Sequence, residues 1–223
     1  FSSPERSLEK ITNYIKSEVS SFVWVPFEEV ASYIKKSDAV LIGPGFLRYK
    51  SESEKDKVDC DEACELTRSV TEKLLKEFPD KKWVIDAGSL QTMEASWIPE
   101  NAIVTPNKKE FEMLFGNLSG EEAAKKYNCI VVEKAPVSII SSSSEVVHVQ
   151  GGNAGLTKGG TGDTQAGITV ALLAKNDPML AASVGAYTIK KAADILFEHV
   201  GVHYSADDLA NEIPRVLWKD REY

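Results

Sequence analysis

Short runs of consecutive apolar residues alternate with stretches of helical spacing through the first half of the chain. This alternation limits the fold more than any other feature. Ala39-Val40-Leu41-Ile42, Trp83-Val84-Ile85, Ile103-Val104 and Ile130-Val131-Val132 are continuous apolar runs, and Phe22-Val23-Trp24-Val25 is a fifth, stopped by Pro26. Strands buried on both faces read this way, and strands that alternate with helices make a parallel sheet covered on both sides. Between them, Ser3-Pro4 opens a predicted helix over 5–19. Phe27, Val30, Ala31 and Ile34 predict a second over 27–37. Leu66, Val70, Leu74 and Leu75 predict a third, ending near Phe78, with those residues on one side. Residues 50–61 are highly charged and expected to be solvated. Ser119 with Glu122, and Ser205 with Asp208, are spaced for capping arrangements.

The second half changes character. Residues 137–140 and 146–149 predict a hairpin, hence an antiparallel edge on an otherwise parallel sheet. A glycine-rich loop from Gly151 to Gly162 then feeds an apolar helix over 166–174, followed by helices over 179–197 and 205–218. A chain of 223 residues fits one domain, spanning residues 1–223.

Net charge narrows the function. At −8 the chain is a poor match for nucleic acid, which needs a basic stripe, but backbone N–H groups can hold a nucleotide's phosphates inside an acidic protein. The sequence contains no run of 18 apolar residues, so no membrane is expected. Cys60, Cys64 and Cys129 read as reduced thiols of a cytoplasmic protein. They have no metal-ligand spacing, and neither do His148, His199 and His203.

Three strands end in small or polar groups: Gly43-Pro44-Gly45, Asp86 and Asn107. In open α/β sheets ligands bind beyond the carboxyl ends of the strands, so these positions are expected to converge. The most informative segment is Gly159-Gly160-Thr161-Gly162-Asp163, placed directly before the apolar helix. Its glycines allow close backbone approach, and a helix start offers free N–H groups to an anion. Asp163 lies where a carboxylate can reach a hydroxyl held near that anion; the plain alternative is a first-turn helix stabiliser. Asn107 and Glu110, three apart at a strand-to-helix junction, can share one side, with Glu110 free to hold a Mg²⁺-bound water; an ordinary helix start explains them as well. Neither the Walker A order nor the dinucleotide fingerprint is present.

Asn-x-x-Glu together with Gly-x-Gly-Asp before a helix resembles the ribokinase-like superfamily. Within it, four blocks in order are similar to the NAD(P)HX dehydratases: Ile42 to Gly45, Val84 to Ala87, Val104 to Asn107 with Glu110-Phe111, and Gly152 to Gly155 continuing through Gly159 to Asp163. The resemblance spans about Val23 to Ala193. It implies a three-layer ribokinase-like sandwich, with a mostly parallel sheet, an antiparallel edge hairpin and helices on both faces. It implies a carbon–oxygen lyase that uses ATP or ADP with Mg²⁺ to phosphorylate the ring hydroxyl of NADHX or NADPHX and then eliminates phosphate. Asp163 would be the base; Gly159, Gly160, Thr161 and Gly162 the anion hole; and Lys134, Asn153, Ala154, Gly155, Leu156, Thr157 and Lys158 would lie along the nucleotide. Gly45, Asn107, Glu110 and Asp163 would contact the substrate, with Glu110 reaching metal through water.

The chain departs from the family pattern at Gly88, where a second Asp is usual, at Ala135, where Gly is usual, and at Asn107-Lys108-Lys109-Glu110, where many bacterial members have His-Pro-Gly-Glu. The family's opening strand and glycine-rich turn have no counterpart, so the native protein is expected to carry a further strand–helix segment before Phe1. A homo-oligomer is expected. The competing readings are a small-molecule kinase of the same fold, acting on a vitamin precursor or sugar-like substrate, and a catalytically silent nucleotide-binding protein.

Overall fold

The apolar runs of the sequence become neighbouring parallel strands laid down in chain order. The sheet holds β1 (Ala39–Ile42), β2 (Lys82–Ile85), β3 (Ile103–Val104), β4 (Ile130–Glu133), β5 (Ser138–Ser141) and β6 (Val146–Val149), ordered β1-β2-β3-β4-β5-β6. Strands β1 to β4 are parallel, while β5 and β6 add the expected antiparallel edge. Ile42 pairs with Ile85, Ile85 with Val104 and Val104 with Val131, so the parallel strands finish close to one line. Everything just beyond that line is brought to one rim of the sheet.

This computed structural model describes residues 1–4, 15, 22–47 and 62–219. Its contacts divide into two compact units, Phe1–Ser37 and Asp38–Tyr223. In the first, a 3₁₀ turn (Phe27–Glu29) leads into α1 (Val30–Lys36), as the apolar spacing predicted. The run at 22–25 does not become a strand. Its backbone makes two bonds to Phe1, Phe1 N–H to the Val23 carbonyl and Val25 N–H to the Phe1 carbonyl, both 2.9 Å. That pairing is too short to be a ladder. The helix predicted over 5–19 and the charged stretch at 50–61 lie outside the described residues, apart from Ile15.

The second unit adds α2 (Glu62–Glu77), α3 (Ala87–Thr92), α4 (Lys108–Phe115), α5 (Gly120–Tyr127), α6 (Thr161–Leu173), α7 (Pro178–Val200) and α8 (Ala206–Lys219). Alternation along the strands sends successive side chains to opposite faces. Val84, Ile103, Val132 and Ile140 pack with Ala166, Leu173, Ala182 and Ala186 of α6 and α7. The next residues, Glu133 and Ser141, instead meet α5 at Gly120, whose missing side chain leaves room for both. Helices therefore cover both faces, giving the three-layer, ribokinase-like sandwich that the sequence implied.

Local chemistry explains the helix ends. Asn107 with Glu110, Ser119 with Glu122 and Ser205 with Asp208 all form reciprocal caps. Asp177 caps α7 ahead of Pro178. One expectation fails within α2, and its apolar side is only partly buried. Leu66 is 40% exposed, and the buried stripe runs instead through Ala63, Cys64, Thr67, Val70, Thr71, Leu74 and Leu75. Cys64 is disulfide-bonded rather than reduced. Cys129 is a free, buried thiol, pushed up to about 12 by its burial.

The rim itself is tightly built. Gly43 follows β1 with φ +113°, and a β-carbon there would run into the Asp86 carbonyl oxygen. Gly88 is similarly confined, since its β-carbon would fall 2.6 Å from the Phe46 carbonyl oxygen. Gly88, where the family pattern has a second Asp, thus lies close against the 43–47 turn. Gly43→Ala combines a disfavoured φ with a backbone collision and is expected to destabilise the protein by about 2 kcal/mol or more. Urea unfolding of the variant beside the parent measures this, and an unchanged midpoint would refute the steric account.

Candidate functional site

The rim gathers its chemistry around Lys134, the first residue past β4. Its backbone N–H extends the sheet to the Pro106 carbonyl at 3.1 Å. Its ammonium donates to Asp86 Oδ1 at 2.8 Å, and Asp86 is only 1% exposed. The same ammonium lies against the start of α6, where a β-carbon on Gly162 would be 3.4 Å from it. A cation beside a helix N-terminus is electrostatically disfavoured, because the helix dipole already makes that end positive. Asp86 offsets part of that cost. The remaining positive field is directed at whatever lies between Lys134 and the first turn of α6.

That turn is built by its glycines. Gly160 caps α6 in a left-handed conformation, φ +86°. The Thr161 hydroxyl donates to the carbonyls of Leu156 and Lys158, at 2.7 and 2.8 Å. Helix therefore begins at Thr161 rather than at Ala166, and Thr161, Gly162 and Asp163 form its first turn. Asp163 is exposed there.

A cleft of about 480 Å³ opens beside this turn. Of the residues expected to serve nucleotide or phosphate, Lys134, Asn153, Ala154, Leu156, Thr157, Thr161 and Gly162 line it, whereas Gly155, Lys158, Gly159, Gly160 and Asp163 do not. Gly155 is covered by the Tyr204 ring, which occupies the space of a β-carbon. The Lys158 ammonium is turned away to the carbonyls of Val202 and Tyr204 and stacks over the Tyr204 ring at 5.2 Å. Asn153 is held on three sides: its amide donates to the Ala193 carbonyl at 2.9 Å, and its Oδ1 accepts from Gly155 N–H at 3.0 Å and Tyr204 Oη at 2.8 Å. Burial pushes the Tyr204 phenol up, while the bond to Asn153 opposes it.

Sequence reasoning missed Lys190, which shapes the cleft wall. It is 5% exposed, and its ammonium donates to the carbonyls of Ala135, Pro136 and Gly151 at 3.0, 2.7 and 3.0 Å. Burial lowers its pKa, and the Asp194 carboxylate works against that. Asp194 in turn accepts Gly152 N–H at 3.1 Å. The available signal was a lysine at a position of α7 flanked by Ile189, Ala192 and Ala193.

The other expected substrate contacts lie elsewhere. Asn107 lines a second cleft of about 430 Å³, which shares Lys134 and Ala135 with the first. Glu110 lines neither cleft and is 3% exposed. Its Oε2 accepts Asn107 N–H at 2.9 Å and its Oε1 accepts Gln91 Nε2 at 2.8 Å. The helix-start role is the one its bonds show. Gly45 sits in the turn after β1 with φ +76° and lines neither cleft. Among the described residues no group of three or more His, Cys, Asp or Glu side chains could hold a metal ion.

A mostly parallel sheet with an antiparallel edge, and a glycine-started helix aimed at its carboxyl rim, defines a ribokinase-like α/β protein. Solved structures agree. An ADP/ATP-dependent NAD(P)H-hydrate dehydratase from Bacillus subtilis, co-crystallised with ATP and Mg²⁺, superposes with a TM-score of 0.72 at 20% identity, over 95% of this chain and 76% of that one. Ribokinase from Thermotoga maritima gives 0.56 at 17% identity, over 97% and 79%. The family model described as NAD(P)H-hydrate dehydratase matches residues 7–215, and the chain belongs to that family. Among relatives, it is 33% identical over 198 residues to the bifunctional NAD(P)H-hydrate repair enzyme Nnr of Archaeoglobus fulgidus, covering 88% of this chain and 38% of that protein. It is 39% identical over 152 residues to the Nnr of Methanocaldococcus jannaschii, covering 66% and 30%. It is 31% identical over 150 residues to the ADP-dependent (S)-NAD(P)H-hydrate dehydratase of Cenarchaeum symbiosum, covering 62% and 52%. The chain thus spans 52% or less of each of these relatives' length.

Lys190→Met keeps the length of the apolar stem and removes the ammonium donor from three carbonyls at once. Leaving buried polar groups unsatisfied costs about 1–3 kcal/mol each where water cannot replace the donor. The variant is expected to lose at least ~2 kcal/mol of stability. Denaturant unfolding tests this, and a loss below ~0.5 kcal/mol would show that the clamp is dispensable.

Proposed function

We propose that this chain is a nucleotide-dependent dehydratase that repairs hydrated NADH and NADPH, with its site in the unit Asp38–Tyr223. The observation that carries the reading is the placement of Lys134, paired to buried Asp86, against Gly162 at the N-terminus of α6. Two positive features converge there, and an anion transferred between nucleotide and substrate is what they suit. The names of the relatives specify the hydrated nicotinamide, and some specify its S epimer and ADP as donor.

In this reading the cleft beside α6 takes ATP or ADP, with Lys134, Asn153, Ala154, Leu156 and Thr157 along it. The backbone of Gly159 to Gly162 stabilises the phosphoryl group in transit. Asp163 accepts the proton of the ring hydroxyl as its oxygen bonds to phosphorus and the bond to the departing nucleotide breaks. Cleavage of the new ester's carbon–oxygen bond, with loss of a proton from the neighbouring carbon, then releases phosphate and restores the double bond. Asn107 and Gly45 border the substrate side, and Glu110 supports Asn107 through their shared cap. Mg²⁺ would travel with the nucleotide's phosphates and its own waters, since Glu110 has both oxygens engaged by protein donors. The reading places the protein in the cytoplasm. No helix among the described residues is long and apolar enough to cross a membrane.

Incubation with NADHX, Mg²⁺ and either ATP or ADP is expected to restore absorbance at the reduced-nicotinamide band with release of phosphate. A stable phosphoester product would identify a kinase instead. Asp163→Asn keeps size and hydrogen bonding, and is expected to lower turnover at least ~10²-fold while nucleotide affinity changes little. Near-normal turnover of that variant, read beside a nucleotide titration, would remove Asp163 from the chemistry.

A further inference from the structure

Gln165 is a residue to which neither the family blocks nor the proposed chemistry gives a part. It lines the cleft beside α6 and is 8% exposed. Its Nε2 is buried and has no hydrogen-bond partner among the described residues. The cleft's other polar groups are committed: the Lys190 ammonium to three carbonyls, the Asn153 amide to Ala193 and Tyr204, the Thr161 hydroxyl to Leu156 and Lys158. A buried amide left unpaired destabilises a protein, and native structures keep few such groups without a use.

Position narrows the use. Gly162 and Gln165 are three apart on α6, so they share one face, with Gln165 about 4.5 Å further along the axis. In the reading proposed above, the phosphate end of the nucleotide lies at Thr161, Gly162 and Lys134. The Gln165 carboxamide therefore sits further along α6, on the cleft wall shared with Ile189 and Lys190. A carboxamide can turn over about its last torsion, offering a donor or an acceptor edge to a neutral polar group.

We propose that the Gln165 carboxamide hydrogen-bonds the nucleoside part of the nucleotide, rather than its phosphates, and is a specificity-determining residue of this chain. The proposal rests on the reading of this cleft as the nucleotide site. It also implies a trade: Gln165 weakens the empty protein and strengthens the liganded one.

The test compares the parent with Gln165→Met, an unbranched apolar residue of similar size. ADP affinity is measured by calorimetry, inorganic pyrophosphate affinity by displacement of ADP, and melting temperature without ligand. The Met variant is expected to bind ADP about 3- to 10-fold more weakly, the worth of one hydrogen bond, with pyrophosphate unchanged within about 2-fold. Its ligand-free melting temperature is expected to equal or exceed the parent's. Gln165→Glu, which keeps size but loses the donor, is expected to weaken ADP at least as much and serves if the Met variant does not fold. Unchanged ADP affinity with a lowered melting temperature would make Gln165 a structural residue and overturn the proposal. Equal weakening of ADP and pyrophosphate would also overturn it, since the effect would then lie at the phosphate end. A parent that binds no ADP at all would instead bring down the nucleotide reading of the cleft, and the proposal with it.

Discussion

The ammonium of Lys134 is the point on which three separate parts of the chain agree. It projects from the end of β4, is neutralised by a carboxylate at the end of β2, and rests against the first turn of α6. Each partner is there for its own local reason. Parallel pairing ends β2 and β4 at one rim, the backbone at Gly162 passes close to the ammonium, and the left-handed Gly160 lets α6 start facing the rim. A buried ion pair is weak evidence for stability, because desolvation consumes much of the attraction. Its value here is positional: it keeps a charge fixed where a flexible lysine would otherwise retreat to solvent.

The frame of the molecule was legible because it depends on patterns of many residues. Continuous apolar runs at 39–42, 83–85, 103–104 and 130–132 suit strands covered on both faces, and their alternation with helices left little choice of topology. The run at 22–25 has the same composition yet forms no ladder. Apolar composition allows a strand but does not supply the neighbour it must pair with. Leu66 shows the same limit on a helix, where the buried stripe took Thr67 and Thr71 instead; Thr71 satisfies its hydroxyl on Ser89 at 2.8 Å.

The site was legible in part. Glycines before an apolar helix mark a helix start, and Gly160 to Asp163 are at one. Lys158 and Gly155 looked like ligand contacts because they share that segment, but their partners are Tyr204 and its neighbours, far along the chain. Glu110 looked like a free carboxylate, and only the fold discloses that Gln91 and Asn107 use both its oxygens. Lys190, Asp194 and Gln165 carry no motif. Their importance comes from which carbonyls, N–H groups or empty space the fold sets beside them, and spacing along a sequence does not report that.

The Tyr204 contacts tie the glycine-rich loop to the last helices of the chain. Tyr204 fills the space above Gly155 and donates to Asn153, while Lys158 is fastened to the carbonyls at 202 and 204. One wall of the cleft is thus assembled only when the turn between α7 and α8 is in place. During synthesis that turn leaves the ribosome after the sheet and the glycine-rich loop, so the cleft acquires this wall later than its other parts. A nascent or prematurely terminated chain that had already formed its sheet would still lack it.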